Sequence, residues 1–252
     1  SAPPTSTPVP PNTLPTAPSD GGIKRGLSYN EAPFTKLFTS SQIGWAYNWG
    51  SQTGGDLPAG IDYFPMLWSN KPEHTGSWVD DATAAIAAGA SHLLGFNEPD
   101  LGSQANMSPQ EAADAWKTYI EPFAGKAKLV SPAITNGGAP MGTAWLDDFL
   151  AACTECTIDA IAIHIYDSAT NVGYFQNYIT DVGTKYGKPV LVTEFGASGQ
   201  PGQQQDFLTQ MLPFLDGLAS VSHYAYFMDG PGVLANADGT ISDLGITYGT
   251  TN

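Results

Sequence analysis

His92-Leu-Leu-Gly-Phe-Asn-Glu-Pro-Asp100 is a short apolar strand that runs directly into three polar residues. Leu93, Leu94 and Phe96 suit a buried strand, whereas Asn97, Glu98 and Asp100 suit one only if they surface at its end. A carboxylate placed there, with an amide before it and a proline after it, is mounted on a rigid element. Lys188-Pro-Val-Leu-Val-Thr-Glu-Phe-Gly196 repeats the pattern and sets Glu194 at the close of a second apolar run. Two strand-end glutamates predict paired-carboxylate chemistry.

Working outward from these two stretches, eight apolar runs emerge: 24–30, 43–49, 63–68, 92–97, 128–134, 160–166, 189–195 and 223–227. Segments with helical spacing lie between them at 78–89, 109–123, 144–152, 172–186 and 203–218. Ser108-Pro-Gln-Glu111 reads as a capping box with proline at the first helical position, and Gly187 stands where a helix should stop. Strand-helix alternation with eight strands predicts an α/β fold, a single (β/α)8 TIM-type barrel. Residues 50–60, Gly-Ser-Gln-Thr-Gly-Gly-Asp-Leu-Pro-Ala-Gly, are too short and glycine-rich for a crossover helix. The helical layer is therefore expected to be incomplete there, and the helix after Asn30 to be short.

Residues 1–20 carry seven prolines among Ser, Thr and Ala, which predicts an extended linker or stalk, with the barrel domain spanning 21–252. A formal charge of -15 argues against nucleic acid or an anionic membrane surface as a partner. It points instead to a neutral ligand and, further, to an acidic working range. No apolar run is long enough for a membrane span, so no insertion is expected. The sequence lacks an initiator Met and a hydrophobic leader, as a mature secreted form would. Cys153 and Cys156 have no second cysteine pair and no nearby His to make a zinc site, so a local disulfide in an oxidising compartment is expected. The four histidines show no metal-ligand spacing, and neither a metal nor another cofactor is expected.

In a parallel barrel all strand ends meet at one face, so Glu98 from the fourth strand and Glu194 from the seventh can approach across its mouth. A carboxyl separation of about 5–5.5 Å permits double displacement through a covalent glycosyl intermediate. Either carboxylate alone is more simply an ion-paired rim residue; the pair in matching contexts is what favours catalysis.

Seven stretches together resemble glycoside hydrolase family 128: Gly26-Leu-Ser-Tyr-Asn30, Trp45-Ala-Tyr-Asn-Trp49, Phe64-Pro-Met-Leu-Trp68, Gly95-Phe-Asn-Glu-Pro-Asp100, Trp145-Leu-Asp-Asp-Phe149, His164-Ile-Tyr166 and Val192-Thr-Glu-Phe-Gly196. Leu234, Asp238-Gly239 and Leu244-Gly245-Ile-Thr-Tyr248 extend the likeness, which covers residues 23–250. The resemblance implies a secreted or cell-wall-associated, fungal-type retaining glycosidase, a monomer acting on β-1,3-glucan and its oligosaccharides. It implies Glu98 as acid/base, Glu194 as nucleophile, Asn97 as hydrogen-bond donor to the sugar 2-hydroxyl and Tyr166 as the group holding the nucleophile's oxygen. His164, Trp49, Trp68, Tyr226, Tyr29 and Asn30 complete the expected substrate-binding set. The sequence departs from the family where the end of strand eight offers Tyr226 in place of a tryptophan, and where strand six reads His-Ile-Tyr. Both changes bear on aromatic platforms. Internal cleavage is the expected mode; trimming from a chain end, or binding without cleavage, are the alternatives the same family allows.

Among the remaining residues, Trp78 and Trp116 fall in helical segments and read as packing residues. His92 begins its strand at the face opposite the site and reads as structural. Asp100 and Asp167 lie beside the site motifs as loop organisers. Asn106-Met-Ser108 is a glycosylation sequon followed by proline.

Overall fold

The computed structural model describes residues 22–252, so the proline-rich segment falls outside it. Eight parallel strands follow one another: β1 Arg25–Tyr29, β2 Trp45–Tyr47, β3 Asp62–Tyr63, β4 His92–Leu94, β5 Lys128–Val130, β6 Ile161–Ser168, β7 Val190–Ser198 and β8 Val221–Asp229. The helices are α1 Ala32–Thr35, α2 Pro72–Thr75, α3 Trp78–Ala87, α4 Pro109–Tyr119, α5 Thr143–Ala152, α6 Val172–Tyr186, α7 Pro201–Gly217 and α8 Asp243–Thr250. As expected, α1 is a single turn and no helix separates β2 from β3. Two helices, α2 and α8, lie where helical spacing is too brief to read. The capping box at the start of α4 forms, with Ser108 and Glu111 bonding each other's backbone, and Gly187 ends α6 in the left-handed conformation at φ 59°.

The closed barrel needs correction. The hydrogen-bonded ladders form a six-stranded sheet in the order β3-β2-β1-β8-β7-β6 and a separate two-stranded sheet, β4-β5. The seams between them carry isolated bridges in place of ladders, Met66 with Leu94 on one side and Val130 with Ala160 and Ile134 with Ile163 on the other, with backbone hydrogen bonds such as Leu67 N–H to the Leu94 carbonyl and Ser131 N–H to the Ala160 carbonyl. Pro65 and Pro132 stand at these places, and a residue without an N–H cannot continue a ladder. The strands ring a common core, but the sheet is not continuous around it.

Alternation along the strands sorts side chains into two cores. One faces inward and contains Trp45, Tyr47, Phe64, Met66, Leu94, Val130, Ala162, Leu191 and Ala225. The other, larger, lies between strands and helices and includes Leu27, Tyr29, Trp78, Trp116, Ile163, Phe195, Tyr224, Tyr226 and Tyr248. Trp45 stacks on Phe64 with ring centroids 4.7 Å apart, a contact contributing about 0.5–1.5 kcal/mol beyond area burial. Its indole lies over Gly26, where an added Cβ would sit 2.3 Å from the ring, so β1 can pass the interior tryptophan only with glycine. Arg25 is buried and ties β1 to the end of the chain through Tyr224 Oη, the Tyr248 and Thr251 carbonyls and Asp216. Cys153 and Cys156 are disulfide-bonded across the end of α5. Among the described residues no helix is long and apolar enough to cross a membrane.

Candidate active site

Glu98 and Glu194 meet at the C-terminal ends of the strands, and two local irregularities aim them. Leu191 faces the interior, so regular alternation would turn Thr193 inward and Glu194 outward. A register shift between β6 and β7 replaces that arrangement: Ile163 pairs with Val192 while His164 pairs with Glu194. The extra residue lets Glu194 point into the mouth, the re-aiming that bulges provide beside active sites. Glu98 follows β4 with φ 44°, left-handed for a residue that is not glycine. It is held there by its N–H to the Ala133 carbonyl at 2.8 Å. Strain of this kind, about 1–3 kcal/mol, persists only where the surroundings enforce it.

His164 joins the two carboxylates. Its Nδ1 lies 2.7 Å from Glu98 Oε1 and 3.4 Å from Glu194 Oε2, and its Nε2 lies 3.0 Å from Thr193 Oγ1. Burial works against the charged imidazole. Glu194 and the hydrogen-bonded Glu98, with Asp100 farther off, outweigh it and hold the pKa above the ordinary value. One oxygen of each glutamate and one His164 nitrogen lie within 4.8 Å of one another. That closeness fits the carboxyl spacing of about 5–5.5 Å in retaining glycosidases better than the spacing of about 6.5–9.5 Å that leaves room for an inverting water.

Tyr166 Oη donates to Glu194 Oε2 at 2.5 Å, and Trp49 Nε1 donates to Oε1 at 2.8 Å. Burial, then Glu194, push the Tyr166 phenol far above its ordinary range, so it stays a donor. Tyr166 pairs in register with Gly196, where an added Cβ would sit 2.7 Å from the tyrosine ring. The glycine of the Thr-Glu-Phe-Gly stretch thus leaves the space in which that ring reaches the carboxylate. Asp100 organises the neighbouring loop by accepting from the N–H and hydroxyl of Thr135 and from the Gly142 N–H.

The cleft around the carboxylates is a cavity of about 490 Å³ lined by Asn30, Trp49, Trp68, Asn97, Glu98, Gln104, Tyr166, Glu194, Phe227 and Met228. Of the site residues expected from sequence, the structure brings Glu98, Glu194, Asn97, Tyr166, His164, Trp49, Trp68 and Asn30 together. Tyr29 and Tyr226 stand apart. Both are buried in the core between strands and helices, Tyr29 donating to the Thr53 carbonyl and Tyr226 packing on Phe195. The aromatic that strand eight presents to the cleft is Phe227, 38% exposed and in contact with Trp49 and Tyr166. Parity carried that signal, because Ala225 faces the interior and Phe227 shares its side. Gln104 was also missed; it accepts from Asn97 Nδ2 at 3.1 Å, leaving Asn97 Oδ1 buried without a partner. Asn97 therefore keeps a free acceptor, and with one of its two amide N–H groups used on Gln104 it retains a second N–H for the expected donation to a ligand hydroxyl. No sequence motif marks Gln104.

Residues 26–248 match the family described as Glycosyl hydrolase catalytic core. A solved structure of a curdlan-specific exo-β-1,3-glucanase of family 128, subgroup III, from Blastomyces gilchristii is 43% identical, with TM-score 0.83 over 90% of this chain and 97% of that one. An endo-β-1,3-glucanase of subgroup II from Sorangium cellulosum is 30% identical, with TM-score 0.77 over 91% of this chain and 99% of that one. Alkali-sensitive linkage protein 1 of Schizosaccharomyces pombe is 32% identical over 248 residues; the match covers 89% of this chain and 44% of that protein, so the chain spans less than half its length. On these likenesses the chain belongs to the glycosyl hydrolase catalytic-core family, as a member of glycoside hydrolase family 128.

Proposed function

We propose that the protein cleaves β-1,3-glucan with retention of configuration, working inward from a chain end. The observation that carries the retaining mechanism is the placement of Glu98 and Glu194 with oxygens within 4.8 Å of one another, joined by His164. In the first step Glu98 gives its proton to the glycosidic oxygen while Glu194 attacks the anomeric carbon. The bond to the leaving oxygen breaks as the glycosyl ester forms. In the second step Glu98 takes a proton from water, the water oxygen bonds to the anomeric carbon, and Glu194 leaves as carboxylate. His164 Nδ1 sits where it can exchange a proton with Glu98 between the steps. Trp49, Trp68 and Phe227 offer apolar faces to sugar C–H surfaces, and Asn97 Oδ1 accepts from a ring hydroxyl.

Action from a chain end replaces internal cleavage as the favoured mode because the 43% identical relative is described as exo-acting, whereas the relatives described as endo-acting are less similar. The Cys153–Cys156 disulfide supports an extracellular or wall-associated setting.

The test is a time course on linear β-1,3-glucan, with product lengths separated by chromatography and the first-formed anomer read by proton NMR. One dominant short product, released first as the β-anomer and lost in Glu98→Gln and Glu194→Gln, is expected. An early spread of lengths would establish internal cleavage instead. An α-anomer formed first would refute retention. Binding of oligosaccharide without any product would make the protein a glucan-binding module.

A further inference from the structure

We propose that Oε1 of Glu194 is the atom that bonds to the sugar and that Trp49 is its positioning residue, an inference that rests on Glu194 as nucleophile. A carboxylate has about four acceptor sites, two on each oxygen. On Oε2 they face Tyr166 Oη at 2.5 Å and His164 Nδ1 at 3.4 Å. Oε1 has Trp49 Nε1 at 2.8 Å. Each oxygen accepts one hydrogen bond, but Oε2 is also crowded by the His164 ring nitrogen 3.4 Å away, whereas Oε1 has Trp49 alone and is the more open to the anomeric carbon.

The backbone is built to deliver that single donor. Trp49 has φ 59°, one of three non-glycine residues with positive φ among those described, and Glu98 is another. Such a conformation is costly for a bulky side chain and marks a place where the surroundings impose it. The turn comes just after β2, and the indole is clasped between Tyr47, at 5.1 Å, and Phe227, at 5.6 Å. Those contacts fix the ring so that its N–H crosses from the end of β2 to the carboxylate on β7.

The two half-reactions use this N–H unequally. When Glu194 attacks, an electron pair on Oε1 becomes the C–O bond, the bond to the leaving oxygen breaks, and that oxygen takes the proton of Glu98. The hydrogen bond stabilises the carboxylate before attack and gives no advantage to this step. In the second half, water adds to the anomeric carbon, Glu98 receives its proton, and the electrons of the C–Oε1 bond return to Oε1. There the indole N–H meets the developing negative charge, a donor already in place where charge appears. Loss of the N–H therefore slows release of the glycosyl–enzyme more than its formation.

A stacking platform and a positioning donor separate in one experiment. Trp49→Phe keeps an aromatic ring and removes the N–H; a benzothienylalanine at position 49 keeps the bicyclic shape with sulfur in place of N–H, and covers the case in which Phe packs poorly. Each is assayed on a β-1,3-gluco-oligosaccharide for kcat and KM. Acid-quenched samples are weighed as intact protein to measure the fraction carrying a glycosyl group. The expected result is a fall in kcat of about 10- to 100-fold, with KM unchanged or lower and the glycosylated fraction raised above that of the native protein. A raised KM with unchanged kcat, or a fall in kcat with no rise in the glycosylated fraction, overturns the positioning role. Retained turnover in Glu194→Gln would instead refute Glu194 as nucleophile, a failure that the Trp49 variants do not produce.

Discussion

Replacing Asp229 by Asn should abolish a large pH dependence of stability. Asp229 closes β8, is fully buried, and neither carboxylate oxygen has a hydrogen-bond partner. Burial alone raises its pKa from 3.8 to about 7. The sign follows from proton linkage. Between these two values the folded protein holds a proton that the unfolded chain has released. The stabilisation is complete below the unfolded pKa near 3.8, and is lost as pH rises through the folded value near 7. About 3 units at 1.36 kcal/mol each give about 4 kcal/mol lost across the window, with about half of it gone near pH 5.5. For a chain of this size that corresponds to a fall in Tm of about 8–16 °C. The assay is urea denaturation of native and Asp229→Asn protein at matched ionic strength from pH 4 to pH 8. The difference between the two curves isolates this group from His164, whose raised pKa makes its own contribution fall away above the ordinary imidazole value. The native protein should lose stability relative to the variant as pH rises, and the variant should be the more stable of the two at pH 8. Curves that run parallel over the whole range would refute the reasoning. The same carboxyl makes the fold most stable at acidic pH.

Two further substitutions test how local geometry serves the site and the fold. Gly196→Ala should push the Tyr166 ring off Glu194 and lower kcat by about 10- to 100-fold, the worth of a hydrogen bond to a charged group. Tyr166→Phe should fall similarly, and the double variant should fall no further if both act through one bond; additive losses would separate them. Ser108→Ala removes the side chain that accepts from the Glu111 N–H at the start of α4 and should cost about 1 kcal/mol in denaturation, with kcat unchanged.

Strand positions were legible because each strand is an apolar run between polar clusters, and the absent crossover before β3 was legible from its glycines. The two seams were harder to read, although Pro65 and Pro132 stand in plain view, because their effect depends on which neighbour each strand faces. Strand parity explains the rest of the site. Tyr29 and Tyr226 fall on the helix-facing side of their strands, and Phe227 on the other. Glu194 would fail the same parity test without its bulge, which no residue pattern announces. Asp229 was not singled out, since complete burial of a strand-end carboxylate is a product of tertiary packing.

The division into two sheets has a mechanical consequence. Glu98 follows the two-stranded sheet and Glu194 lies in the six-stranded one, so no unbroken ladder connects the groups whose spacing sets the stereochemistry. The acid and the nucleophile are therefore set by different sheets, and His164, hydrogen-bonded to Glu98 and 3.4 Å from Glu194, is the side chain that spans the gap between them.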